Sequence, residues 1–235
     1  MEKTRIISSA IIALGLAVCG ISLPIAVKEY RALDRTVTVK GLCEREVVAD
    51  KAIWPITFRN MDNESITSLT RKIDNDKKLI LDFLTREGIG EDEITINAPV
   101  ISDKLSMSYG VDRAYRFVSK SVITVCTSKV DKVLELNTKI SELLKSGVLI
   151  GSENEWEGGI TYEFEGLNEI KPEMIHEATA NARLAAEQFA SDSGSRIGKI
   201  KTASQGSFSI ANRDSNTPQI KCVRVVTSIT YTLEK

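Results

Sequence analysis

Residues 36–58 read Thr-Val-Thr-Val-Lys-Gly-Leu-Cys-Glu-Arg-Glu-Val-Val-Ala-Asp-Lys-Ala-Ile-Trp-Pro-Ile-Thr-Phe. Thr36 to Gly41 alternates with period two, the side-chain repeat of a strand. Val47 to Phe58 is a second strand signal, rich in β-branched and aromatic residues. Pro55 has no N–H to give a ladder, so an edge or a bulge is expected there. Two strands in succession, with no helix between them, set the pattern that the rest of the chain repeats.

Working outward, Glu64 to Glu87 is helical, with Ile66, Leu69, Ile73, Ile80 and Phe83 near one stripe. Gly88 followed by Ile89 fits a helix stop with an apolar residue behind the glycine. Ile94–Leu105 and Tyr115–Thr127 read as strands joined by the polar stretch 106–114, which contains Gly110. Ser128 and Asp131 resemble a side-chain-capped helix start. Val130, Val133, Ile140 and Leu144 continue that helix, interrupted by Asn137, to Gly147. Gly159–Phe164 is a strand.

Pro172 then opens the longest helix, since a first-turn proline gives up an N–H that had no partner. It runs to about Ser193 with six alanines, and Gly194 ends it. Ala178, Ala182, Ala185 and Phe189 define a face on which a helix backbone can approach a sheet closely. Lys199–Ile210 and Ile220–Leu233 are the last strands, joined by the turn-rich residues 211–218. The order β-β-α-β-β-α-β-α-β-β implies an α+β fold, with largely antiparallel sheets and helices packed on one face.

The 235-residue chain carries 31 Lys+Arg against 32 Asp+Glu, with 42% hydrophobic and 27% charged residues. These fractions exclude a mainly disordered chain. The balanced charge argues against a nucleic-acid partner, which needs a basic face. A single histidine leaves little room for histidine metal sites, so neither a metal nor a cofactor is expected. No catalytic constellation appears, and a non-enzymatic protein is the expectation.

The clearest address lies at the start. After Lys3 and Arg5, residues 6–27 run 22 residues without a charge. As a helix that run is about 33 Å long, enough for a bilayer core of roughly 30 Å. The flanking cations favour a cytoplasmic N-terminus, which exports the chain beyond residue 27. The length points to an uncleaved single-pass anchor after a cytoplasmic segment 1–5. A cleaved signal peptide and lipidation at Cys19 remain the alternatives, each with poor flanking residues. All three place the exported part outside the cytoplasm, on the periplasmic side of the inner membrane. Residues 28–35 form a tether and 36–235 the domain. The exported part retains Cys43, Cys126 and Cys222, an odd number with no CxxC pair. Each sits in a strand-like run, where a free thiol is ordinarily a small buried hydrophobe.

Several blocks occur in a telling order. Thr36–Gly41 is followed by Glu44-Arg45-Glu46 and by Ala49 to Trp54. Later come Ile160–Gly166, the helix block Asn181–Glu187, Gly194–Ile200 and Gln205–Ser209. Over residues 36–233 the chain resembles the SIMPL-domain family of bacterial envelope proteins. The resemblance implies an exported α+β domain and homo-oligomers, in some relatives ring-like or channel-like. It also implies links to stress tolerance, and it supplies no catalytic residues. A long N-terminal anchor departs from the plainly cleaved signals of other members.

Candidate sites are few. His176 reads as an exposed helix residue. Glu153, Glu155, Glu157, Glu163 and Glu165 around Trp156 match no calcium loop and read as a solvated hairpin. Gly194, Gly198 and the nearby serines form neither a phosphate loop nor a nucleophile elbow. Glu44, Arg45, Glu46 and Asp50 are candidate subunit contacts, with Trp54 and Trp156 as candidate interface anchors. The expected function is a membrane-anchored scaffold or interaction module that self-associates in the cell envelope. The alternative is an envelope binding protein for a small ligand or cell-wall component.

Overall fold

Alternating burial along the strands builds two antiparallel sheets. The computed structural model describes residues 15, 20–22, 35–106, 114–151 and 159–234. The anchor 6–27 and the tether lie almost entirely outside the described residues, as do most of the 106–114 connection and the acidic stretch around Trp156. Among the described residues, no helix is long and apolar enough to cross a membrane.

The elements are β1 (Thr36–Val48), β2 (Lys51–Asp62), α1 (Ile66–Arg86), a 3-10 turn (Glu91–Glu93), β3 (Ile94–Ile96), β4 (Val100–Asp103) and β5 (Phe117–Thr127). Next come α2 (Val130–Lys139), α3 (Ser141–Lys145), β6 (Leu149–Ile150), β7 (Thr161–Glu163), α4 (Leu167–Asp192), β8 (Arg196–Gln205), β9 (Ser209–Asn212) and β10 (Ile220–Glu234). One sheet has the order β1-β10-β8, with β9 also on β10. The other has the order β3-β5-β2-β6, with β4 also on β5 and β7 also on β2. The chain divides into two units. The first comprises the described residues up to Arg45, Glu169–Ser209 and Val223 onward; the second comprises Glu46–Asn168 and Ile210–Cys222.

In the second unit, β2 and β5 pair without a register break from Ala52↔Thr127 to Asp62↔Phe117. One face of this pair carries Trp54, Ile56, Phe58, Ile123 and Val125 into the core. Leu69, Ile73, Ile80, Phe83 and Leu84 of α1 meet them at helical spacing. The start of α1 is fastened by Asp62, which accepts from the Glu64 N–H at 2.7 Å and the Ser68 hydroxyl at 2.8 Å. Lys72 reaches the same carboxylate at 2.7 Å. That ammonium first, and then these donors, hold Asp62 well below the usual carboxylate range. At the other end Gly88 takes φ +91°, the left-handed turn that glycine enters without a Cβ penalty. Ile89 N–H then reaches the Leu84 carbonyl at 3.0 Å and Gly88 N–H the Thr85 carbonyl at 3.0 Å, a Schellman closure. Gly147 and Gly194, the other expected helix stops, close α3 and α4 in the same way.

In the first unit, α4 lies on the sheet through Met174, Ala178, Ala182, Ala186 and Ala190, all buried. Gly41 of β1 makes the approach possible. A Cβ there would collide with the Ala178 carbonyl oxygen and stand 2.8 Å from the Ala182 Cβ. Val39, Ile229 and Tyr231 complete the core against Ala182 and Ala186.

At Pro55 the local edge expected of a proline is present: it stays in register with Thr124 of β5, and on its other side, among the described residues, it falls in the gap between the residues paired with β7 and those paired with β6. Four details depart from the expectation. The strand expected over 94–105 is broken at Asn97-Ala98-Pro99 into β3 and β4. α2 has no side-chain cap from Ser128. The acceptor near that end is instead the Thr127 hydroxyl, which takes the Lys129 N–H at 3.0 Å and donates to Glu93 at 2.6 Å. α4 starts at Leu167, so Pro172 lies inside it and removes one helical hydrogen bond. Lastly, the buried face of α4 repeats at every fourth residue, which leaves Ala185 half-buried and Phe189 62% exposed.

The Gly41 contact gives a direct test. Gly41→Ala forces helix and strand apart and is expected to cost about 1–3 kcal/mol, the usual range for overpacking. A fall in the urea midpoint at unchanged m-value is the expected reading; an unchanged midpoint contradicts the close approach.

Candidate functional site

The residues expected to meet a neighbouring subunit are engaged within the chain. Arg45 projects from β1 to α4, where it contacts Glu173 at 2.7 Å and Glu177 at 3.6 Å. Its guanidinium holds Glu173 below the usual carboxylate range. Glu44 pairs across the sheet with Arg224 at 3.3 Å. In the second unit, Glu46 meets Arg213 at 3.2 Å. Asp50 accepts the N–H groups of Glu165 at 2.9 Å and Gly166 at 2.8 Å, ahead of α4. Trp54 is 2% exposed within the core, so burial takes it out of a surface contact. Trp156 lies outside the described residues. His176 is exposed on α4.

The thiols of Cys43, Cys126 and Cys222 differ. Cys43 is buried, Cys222 is half-buried and Cys126 is exposed, and all are free. The expectation of burial therefore fails for Cys126, whose strand β5 carries its core residues at the alternate positions Ile123 and Val125. Burial, and then a hydrogen bond to Glu177, push the Cys43 thiol up to about 11. Among the described residues, no group of three His, Cys, Asp or Glu side chains is arranged to hold a metal.

The second unit carries several concave sites, two of which hold a buried polar side chain. One, about 100 Å³, sits between α1 and the sheet, walled by Phe58, Ile73, Ile96, Pro99 and Ile123. The Ser121 hydroxyl on its wall is buried with no hydrogen-bond partner. The other, about 340 Å³, is lined by residues 162–165 of β7 and its C-terminal extension, by Ile210, Ala211 and Asn212 of β9, and by Lys221. Lys221 is only 7% exposed. Sequence reading passed over it, although a signal was present. Lys221, Val223, Val225, Thr227, Ile229 and Tyr231 fall at alternate positions, so a lysine stands in phase with the apolar face of β10.

The fold is thus an α+β arrangement of two antiparallel sheets with helices packed on them. The family model SIMPL, described as a protein of unknown function (DUF541), matches residues 37–226. The chain belongs to the SIMPL family. No curated protein matches it.

The environment of Cys43 sets a pH dependence. The folded thiol binds its proton more tightly than the unfolded one, whose value is about 8.5. The stability it contributes is therefore complete below about pH 8.5 and lost as pH rises toward about 11. Cys43→Ala is expected to flatten that alkaline limb in chemical denaturation, and an unchanged slope contradicts the assignment.

Proposed function

We propose that this SIMPL protein is a membrane-anchored, extracytoplasmic and non-enzymatic module that self-associates in the bacterial cell envelope. In this reading residues 6–27 cross the inner membrane once and the α+β domain stands on the periplasmic side. The 22-residue charge-free run behind Lys3 and Arg5 supports the anchor and its orientation.

The observation that carries self-association is β8. It ends its sheet, pairs on one side with β10, and has eight of its ten residues exposed. Gly206 N–H bonds to the Val226 carbonyl at 2.8 Å, and the register continues Ser204↔Ser228 and Thr202↔Thr230. Antiparallel alternation then turns the backbone groups of Ala203 and Gln205 away from β10, toward the side on which β8 pairs with no strand among the described residues. An edge of this kind is a template for another strand. The partner assigned to it is a second copy of this chain. The edge of β1 suits the role less, because Asn181 donates to the Leu42 carbonyl at 2.9 Å.

Ala203→Pro removes an outward-facing donor while leaving the β10 ladder intact. Native mass spectrometry of the full-length protein in mild detergent is expected to give a discrete oligomer for the parent and a monomer for Ala203→Pro, with unchanged circular dichroism. A monomeric parent across the concentration range defeats the assembly reading. Localisation has its own test. Exposed Cys126 is expected to react with a membrane-impermeant maleimide in cells whose outer membrane has been permeabilised, and Cys126→Ser is expected to remove that label. Labelling only after lysis places the domain on the other side of the membrane.

A further inference from the structure

A lysine is rarely buried unless a carboxylate compensates it. Lys221 breaks that rule. Its ammonium donates to the Asn212 side-chain oxygen at 2.5 Å, a neutral acceptor. Among the described residues, no carboxylate lies within the 4.0 Å of an ion pair with it. Glu165 on the same cleft is already committed to Lys51 at 2.7 Å. Glu163 acts on Lys221 only through its charge. Burial lowers the proton affinity of the amine, and Glu163 offsets part of that effect.

The amine also has somewhere to act. The cleft beside it is about 340 Å³, within the span of small-molecule sites, about 300–1,000 Å³. Phe164, Ile210 and Ala211 give it apolar walls, and Glu163 and Asn212 supply polar groups near the amine. A desolvated lysine on an apolar wall is the arrangement that makes an amine nucleophilic at neutral pH.

We propose that Lys221 is a reactive amine and that its cleft captures small apolar aldehydes as imines. The lone pair of the neutral Nζ attacks the aldehyde carbon. A C–N bond forms and the carbonyl π electrons move to oxygen, which takes up a proton. The carbinolamine then loses water as the nitrogen gives up its second proton, leaving C=N. Amine and aldehyde become imine and water, with no change of oxidation state. Glu163 is the carboxylate placed to carry the proton. Asn212 positions the amine by accepting one N–H, which leaves the lone pair for the ligand. This assignment is independent of self-association.

The experiment treats the full-length protein at pH 7 with hexanal and cyanoborohydride, then maps the reduced adducts on every lysine by mass spectrometry. Burial lowers the proton affinity of this amine and leaves more of it in the neutral, reactive form, so Lys221 is expected to label faster than the chain's exposed lysines. That advantage is expected to vanish in urea and to shrink above about pH 10.4, where every lysine approaches neutrality. Glyoxylate, an aldehyde carrying a carboxylate, is expected to lose the preference because Glu163 and Glu165 repel it. Lys221→Met should abolish the fast adduct and leave the others unchanged. Should that variant fail to fold, the comparison of folded and unfolded parent protein decides by itself. Labelling of Lys221 at or below the rate of exposed lysines in the folded protein overturns the reactive amine. Equal preference for hexanal and glyoxylate overturns the role of the cleft.

Discussion

The first unit depends on one steric fact: β1 lacks a side chain at Gly41 where α4 passes. The stripe Met174, Ala178, Ala182, Ala186 and Ala190 lets the helix backbone descend until an Ala178 carbonyl occupies the space a Cβ would need. Small residues at four-residue spacing bury little area each, about 25 cal/mol per Å². What they supply is proximity, which lets short-range contacts form around them. Arg45 spans from β1 to Glu173 at 2.7 Å, and Asn181 reaches the Leu42 carbonyl at 2.9 Å, because strand and helix already stand that close. The elevated proton affinity of Cys43 has the same origin, since a thiol under a closely packed helix loses its water and gains Glu177 as an acceptor. The charged pairs are partly exposed and contribute modestly. They record the fit more than they cause it.

Much of this is legible from residue types. Period-two runs locate β1, β2, β5 and β10, and the three glycines at 88, 147 and 194 mark the helix ends they close. Those signals are local, so a sequence carries them in full. The departures are non-local. The break of the strand expected over 94–105 into β3 and β4 follows the pairing of both pieces with the later strand β5. The start of α4 escapes a local reading because Pro172 is a strong local signal, whereas the bonds from Glu165 and Gly166 go to the distant Asp50. Residue type alone also admits Phe189 to the alanine face. The structure keeps the strict four-residue repeat and turns Phe189 outward, since a ring there would separate helix from sheet.

The candidate interface residues have partners of their own. Glu44, Arg45, Glu46 and Asp50 form a conspicuous charged run, and conspicuous charge suggests a partner. Each of them finds one within the chain. The informative residues are the quiet ones. Ser121 and Thr227 leave buried hydroxyls unpartnered, and the Asn60 carbonyl does likewise although its amide meets Asp76 at 2.6 Å. Each such group carries a desolvation cost of about 1–3 kcal/mol. Lys221 belongs with them, a polar residue in phase with an apolar face. Sequence patterning finds such residues only when a charge in an otherwise apolar register is treated as a signal and not as noise.

Edges of the sheet raise the matching question for backbone groups. β1 and β8 both end their sheet, but they meet that condition differently. β1 hands an outward carbonyl to Asn181, a side chain held by the packed helix, and its Arg45 and Glu44 find partners in α4 and β10. β8 lies largely exposed, and the register shifts twice near Tyr231, where bulges increase local twist. Beyond those shifts, Thr202 to Gln205 keeps an unbroken register with β10. In the proposed assembly, a shifted, cation-bearing start leading into a regular stretch limits where a second strand can add. The regular stretch is short, so pairing along it alone is weak, and the exposed Ile200 beside it adds apolar area. Copies tethered to one membrane in that proposed assembly would meet at high local concentration, and tethering would replace much of the affinity that a free pair needs at an edge of that strength.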